Sequence, residues 1–249
     1  PISFLWDTMP HIIRREANGT FTCKEAEWNL RETGDDDSNP IPSFVGNKIN
    51  DIFFFRNRLG IIAGEAVNLS KTSDFFNFWV DSATGVVDTD PIDLQVSHNR
   101  VSTLYNAVPF NQDLYLFSAQ TQFVLRAEGV LSPKTAVIDQ VTEFDADTWI
   151  KPIGVGRNLY FTAQKTDFTA VQEYFAVADS TTQKNATDIT GHVPNFLKNK
   201  IYTLKACSNE NILMLLSDNQ RDTMYIYKFL FLNDTKAQAS WSRWTFDGE

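Results

Sequence analysis

The residues best equipped for chemistry are scattered through this sequence. Three histidines, His11, His98 and His192, lie far apart, so no local zinc motif can be written. Asp93 and His98 share a neighbourhood with Ser97 and Ser102, but no G-x-S-x-G elbow surrounds a serine. A Ser-His-Asp triad would have to assemble from distant positions, and His98 reads more simply as a turn or interface residue. Gly154-Val155-Gly156 and the stretch from Gly60 to Gly64 lack the spacing, and the following helix, of a phosphate-cradling loop. Asp35, Asp37 and Asn39 alternate as calcium ligands do. Yet Pro40 stands where an EF-type loop needs glycine, and Gly46 where it needs a bidentate glutamate. Turn-bonding aspartates or a looser structural cation are the readings left. Cys23 and Cys207 have no metal-type spacing; one disulfide and two reduced thiols both stay open. No catalytic, cofactor-binding or metal-binding residue is singled out. The pair with an expected role is Arg56 and Arg58, flanking Asn57 at a hairpin tip. Arginine is enriched at interface anchors, so a subunit interface is weighed there against a solvated turn.

Composition narrows the classes. The 249 residues carry 22 Lys+Arg against 31 Asp+Glu, a net charge of -9. Such a chain is not expected to grip nucleic-acid phosphates through counterion release, although weak adhesion would suit a passage that DNA slides through. No apolar run reaches the roughly 18 residues of a membrane-spanning helix. The sequence opens at Pro1 without an initiator Met or a signal-peptide pattern, which reads as a piece of a larger protein or a trimmed chain.

Any site must be positioned by short strands. Around Asp51–Trp79, apolar runs at Ile52–Phe55, Leu59–Ala63 and Ala66–Ser70 are separated by Arg56-Asn57-Arg58 and by Gly64-Glu65. Runs this short, joined by tight turns, predict an antiparallel meander. Ser73–Trp79 offers N-cap residues for one helical turn, and its aromatics read as core. Similar meanders are predicted over 103–143, 151–177 and 201–231, with 241–246 as an outer strand. Their second strands align at Leu59, Leu114, Leu159 and Ile212, a spacing of roughly 45–55 residues that suits propeller blades. Residues 2–30 supply a further candidate blade: Asn18-Gly19 predicts a type I′ hairpin, with Trp28 and Leu30 on a third strand. The expectation is an all-β, β-propeller-like array of antiparallel meanders with about five blades. It forms a single domain over 1–249, with residues 1–44 as a hairpin blade plus acidic loop and 45–249 as the remaining blades. The rival is an irregular pair of packed sheets.

Several blocks resemble one family. They include Gly34-Asp-Asp-Asp-Ser-Asn-Pro-Ile-Pro-Ser-Phe44, Ile49-Asn-Asp-Ile-Phe-Phe-Phe-Arg-Asn-Arg-Leu-Gly60 and Ser70-Lys-Thr-Ser-Asp-Phe-Phe-Asn-Phe78. Further on come Asp88-Thr-Asp-Pro-Ile-Asp93, Val96-Ser-His98, Ala107-Val-Pro-Phe110, Thr142-Glu-Phe-Asp145, Gly191-His-Val-Pro-Asn195 and Ala239-Ser-Trp-Ser-Arg-Trp244. Together they resemble the tail tubular protein B family, the tail nozzle of short-tailed, podovirus-type bacteriophages. The resemblance implies a non-enzymatic structural protein of the virion tail, assembled in the host cytoplasm. It implies a longer chain, six copies of which form the nozzle, with contacts to the adaptor (gatekeeper) ring and to tail fibres. It implies transient passage of double-stranded DNA, no membrane insertion and no cofactor. A tail-associated polysaccharide hydrolase, using two carboxylates flanked by aromatics, and a glycan-binding propeller are the competing functions.

Overall fold

The computed structural model describes residues 4–97, 102–176, 184–232 and 235–247. They are almost entirely strand, turn and extended chain, with one short 3-10 turn at Trp6–Thr8. A two-stranded sheet pairs β1 (His11–Arg15) with β2 (Phe21–Glu25). Four sheets of four strands follow, each in simple sequential order. The first holds β3 (Ile49–Phe55), β4 (Arg58–Ala63), β5 (Ala66–Leu69) and β6 (Ile92–Gln95); the second β7 (Asn106–Phe110), β8 (Asp113–Phe117), β9 (Gln122–Ala127) and β10 (Ala136–Thr142). The third holds β11 (Ile153–Val155), β12 (Asn158–Gln164), β13 (Thr169–Ala176) and β14 (Lys184–Asp188); the fourth β15 (Ile201–Cys207), β16 (Ile212–Ser217), β17 (Gln220–Leu232) and β18 (Thr235–Thr245). The all-β, propeller-like array of about five meanders is therefore present as four full units and one hairpin.

Tight turns set these registers. The β3–β4 turn contains only Arg56 and Asn57, both left-handed at φ 45° and 60°, as a type I′ hairpin demands. Gly64 at φ 60° leads the two-residue β4–β5 turn. Asn111 and Gly156 do the same for β7–β8 and β11–β12. Gly60 has a packing role instead. A Cβ there would stand 2.1 Å from the ring of its cross-strand partner Phe53. Gly154 lies likewise beneath the ring of Phe110.

Three local expectations are corrected. The β1–β2 hairpin forms around Glu16–Thr20 as expected, but its connection is not a type I′ turn. Asn18 stays out of the left-handed region and Gly19 alone enters it, at φ 85°. The Gly19 N–H donates to the Glu16 carbonyl, and the Glu16 N–H to that of Thr20. Gly19 thus completes a bulged loop, while the Asn18 side chain accepts from the Thr20 N–H and hydroxyl. Trp28 and Leu30 do not extend a third strand, because the Asn29 N–H bonds the Phe76 carbonyl and draws that segment away from β2. Ser73–Trp79 is a series of turns rather than a helical turn, with Ser73 itself left-handed at φ 64°. Its aromatics serve as core, as expected. A fourth strand of the third sheet, β14, was not foreseen.

The chain divides into two compact units, Pro1–Leu104 with Leu125–Ile138, and Tyr105–Val124 with Asp139–Glu249. The core of the first includes Phe4, Trp28, Phe44, Ile61, Phe78 and Trp79. Phe4 stacks on Trp79 at 5.3 Å between ring centroids and meets Trp28 edge-on at 6.3 Å. The second unit holds one cluster around Tyr160, Leu213, Tyr225, Tyr227 and Phe229 and another around Tyr115, Phe117, Phe161 and Tyr174. Offset and edge-on aromatic packing of this kind adds to the stabilisation by simple burial.

Candidate interface site

Arg56 and Arg58, adjacent in the pattern, are placed in different surroundings. Arg56 is exposed at the turn tip. Its guanidinium lies 5.5 Å from the Phe55 ring and donates to the Gly129 carbonyl at 3.2 Å. The turn is braced by Ser73: its N–H donates to the Asn57 carbonyl at 3.0 Å, and the Asn57 amide donates to the Ser73 hydroxyl at 2.6 Å. Arg58, by contrast, is 1% exposed. One guanidinium nitrogen donates to the carbonyls of Ser70 at 2.8 Å, Asp90 at 2.6 Å and Thr89 at 3.4 Å. The other donates to Asp88 at 2.7 Å and Leu131 at 3.2 Å. Burial pushes this group below the ordinary arginine range, and the Asp90 charge pulls it back up. Arg58 therefore has no surface of its own to offer and works as an internal tie. Arg56 is the member of the pair that a partner can reach.

In the acidic loop Asp35 spends its carboxylate on the loop itself. Asp35 accepts the Ser38 hydroxyl at 2.7 Å and the N–H groups of Ser38 and Asp37 at 2.9 and 3.2 Å. Those bonds, the hydroxyl first, hold its carboxyl below the usual range. Asp36 pairs with Arg31 at 2.7 Å. Asn39 turns inward at 2% exposure, donating to the Thr33 and Val80 carbonyls and accepting the Val80 N–H. The alternating ligands do not converge, and among the described residues no group of three or more His, Cys, Asp or Glu is placed to hold a metal ion.

Of the histidines, His11 bonds the Met9 carbonyl at 2.9 Å through Nδ1, His192 is exposed in a turn, and His98 lies outside the described residues. Cys23 and Cys207 are both free thiols.

The second unit contains a charged hub that the sequence did not reveal. Glu173 on β13 is 6% exposed. Its Oε1 accepts the Asn158 amide at 2.9 Å and the Tyr160 hydroxyl at 2.6 Å; its Oε2 accepts the Lys236 ammonium at 2.5 Å. Lys236 also reaches the Tyr227 hydroxyl at 3.3 Å and lies over the Tyr227 and Phe231 rings. Burial, then the Glu173 charge, push the Tyr160 phenol far above its ordinary value, so it acts as a fixed donor. A carboxylate engaged this fully is a structural element rather than a poised acid. Asp147 is the other buried carboxylate of note. Its Oδ1 accepts the Gln164 N–H at 2.9 Å, its Oδ2 is buried without a partner, and burial raises its pKa above 3.8. Nothing local in the sequence marks Glu173; its partners come from positions 158, 160 and 236.

The fold, then, is a set of antiparallel meanders with buried polar hubs used as ties. Residues 1–249 match the family described as bacteriophage nozzle protein, and the chain belongs to that family. It is a phage tail component, hence a protein of the virion made in the host cell. Over 242 residues, 97% of its length, it is 46% identical to the tail tubular protein gp12 of Escherichia phage T7, and it spans 30% of that relative's length. Among solved structures, a candidate 6-phosphogluconolactonase of Bacteroides fragilis is similar with a TM-score of 0.55 at 10% identity, over 95% of this chain and 65% of the other. The N-terminal domain of Nup170 from Chaetomium thermophilum, in complex with Nup53, gives 0.49 at 13% identity, over 78% and 28%. The Bacteroides likeness concerns fold alone.

Proposed function

We propose that this chain is a wall section of a tail nozzle, working without catalysis, in a ring of six copies that joins the adaptor ring, supports tail fibres and conducts the genome during ejection. The observation that carries this reading is the family match across residues 1–249. Its physical support is the commitment of the buried charges Arg58 and Glu173 to internal ties, which suits a stiff wall. Arg56 is the proposed interface anchor, since arginine on a braced turn loses little freedom on docking. Part of the net charge of -9 faces the lumen in this proposal, keeping phosphate adhesion weak.

Electron microscopy of the full-length protein is the test. Six-fold rings with these meanders in the wall and Arg56 at a subunit boundary are expected. Monomers, or open filaments, would overturn the ring. A lumen lined by lysines and arginines would overturn the charge argument alone.

A further inference from the structure

The second unit has a groove that neither hub explains. It measures about 300 Å³ and runs between the segment Trp149–Ile153 and the strand segment Tyr202–Lys205. β11 and β15 each stand at an end of their sheet's strand order, so peptide groups border the groove on both sides. Its floor is apolar, from Ile150 and Leu204, both 5% exposed.

Two large aromatics stand at its rim, Trp149 and Tyr202, each 45% exposed. Neither is placed loosely. The Trp149 indole N–H donates to the Ile201 carbonyl at 2.9 Å, fixing the ring beside the start of β15. Tyr202 sits where β15 shifts register between Ile201 and Thr203. A bulge of this kind re-aims a side chain, and here it coincides with the exposed tyrosine. Lys200 places its ammonium 4.0 Å from the centre of the Trp149 ring, and the exposed Lys151 and Lys205 line the walls. Among the described residues that line the groove there is no carboxylate. Lys200 faces one buried carboxylate, Asp147, so among the described residues three lysines stand against a single acid here, and on a chain of net charge -9 that local balance selects for negative charge in whatever binds.

We infer that this groove binds an anionic saccharide, a short glycan whose sugar rings carry carboxylate or phosphate groups. Exposed aromatic faces take the apolar C–H face of a pyranose. The lysines take its anionic group, and the strand-edge peptides together with Thr203 take its hydroxyls. The volume suits one or two sugar rings. A single-stranded nucleic acid would use the same aromatics, but it brings a longer run of charges and flat bases in place of the C–H face of a pyranose. Three lysines on a net-acidic chain do not compensate a long polyanion. This inference does not depend on the nozzle reading.

Calorimetric titration of the full chain decides it, using trigalacturonic acid and glucose 6-phosphate as anionic probes, maltotriose as the neutral counterpart and a six-residue oligothymidylate as the rival. Binding of at least one anionic sugar is expected, at least about ten-fold tighter than maltotriose and weakened by added salt. Tyr202→Ala and Lys205→Ala alter exposed side chains, and each is expected to weaken binding by about five- to ten-fold with an unchanged melting temperature. Lys228→Ala, at a different surface, is expected to leave it unchanged. No binding of either anionic sugar, equal binding of maltotriose, indifference to both variants, or tighter binding of the oligothymidylate would each overturn the assignment. None of those results bears on six-fold assembly, so the nozzle reading stands or falls separately.

Discussion

Arg58 in the first unit is met by neutral carbonyl oxygens, whereas Glu173 in the second is met by a lysine, a phenol and an amide. The first arrangement lets one side chain hold segments that make no regular sheet with each other: the end of β5, the 88–90 turn and the stretch at Leu131. The second ties strands already paired in sheets, β12 to β13, and reaches across to β18. A cation surrounded by carbonyls leaves several of them unpaired at once when it is removed; of the five, Thr89 keeps a bond from the Thr72 N–H. An ion pair supported by neutral donors degrades in steps, since Tyr160 and Asn158 still satisfy part of the carboxylate when the lysine goes.

That contrast can be broken by substitution. Arg58→Met is expected to have the largest effect, about 3–5 kcal/mol lost in urea unfolding, because it leaves buried carbonyls unpaired. Arg58→Lys is expected to recover only a minor part, since an ammonium cannot reproduce the planar fork. If Arg58→Met lost under about 1 kcal/mol, the central role of this tie would be wrong.

Next comes the pair in the second unit. Lys236→Met is expected to cost about 1–3 kcal/mol, less than Arg58→Met. A double-mutant cycle with Glu173→Gln should return a coupling of at least about 0.5 kcal/mol, and additivity would show the pair to be incidental. Gly60→Ala follows at about 1–3 kcal/mol from overpacking against Phe53. Phe53→Leu in the same chain should relieve part of that loss, which circular-dichroism melts can record.

Asp147 supplies a pH test. Its carboxyl is raised above 3.8 by burial, so the folded state holds the proton more tightly than the unfolded chain. The cost of ionising it is absent below that value and grows as pH rises from there through the raised folded value. Asp147→Asn, which keeps an acceptor for the Gln164 N–H, should therefore raise the melting temperature at pH 7. The gain should vanish as pH falls below about 4. A gain that persisted in acid would show that burial of the charge is not the cause. The smallest effect on stability belongs to Arg56→Ala, expected within about 0.5 kcal/mol of the parent. The same substitution should lower the ring population of the full-length protein in size-exclusion chromatography, and normal rings would remove Arg56 from the interface proposal.

Much of this architecture was legible before any coordinates, because most strands carry apolar runs and end at turn residues with a positive φ. β14 was not. Lys184–Asp188 reads Lys-Asn-Ala-Thr-Asp, a polar edge strand with no hydrophobic run to announce it. Arg58 reads as a turn residue in the sequence and is nevertheless buried, for a related reason. Every residue of β4 from Arg58 to Ala63 is buried, so the strand is covered on both faces and alternation says nothing about it. The unbroken run Leu59–Ala63 was the available signal that its first residue would be enclosed as well. The groove at Trp149 could not be read at all, since a register shift at Tyr202 depends on how β15 meets β16.

The way Arg58 is held bears on how the first unit would yield under mechanical load. Bonds that converge on one planar group share a pull applied to any of the segments they reach, so no single segment peels off ahead of the others. Under a rising load such a region would hold its form up to a threshold and then rupture abruptly, with little gradual creep beforehand.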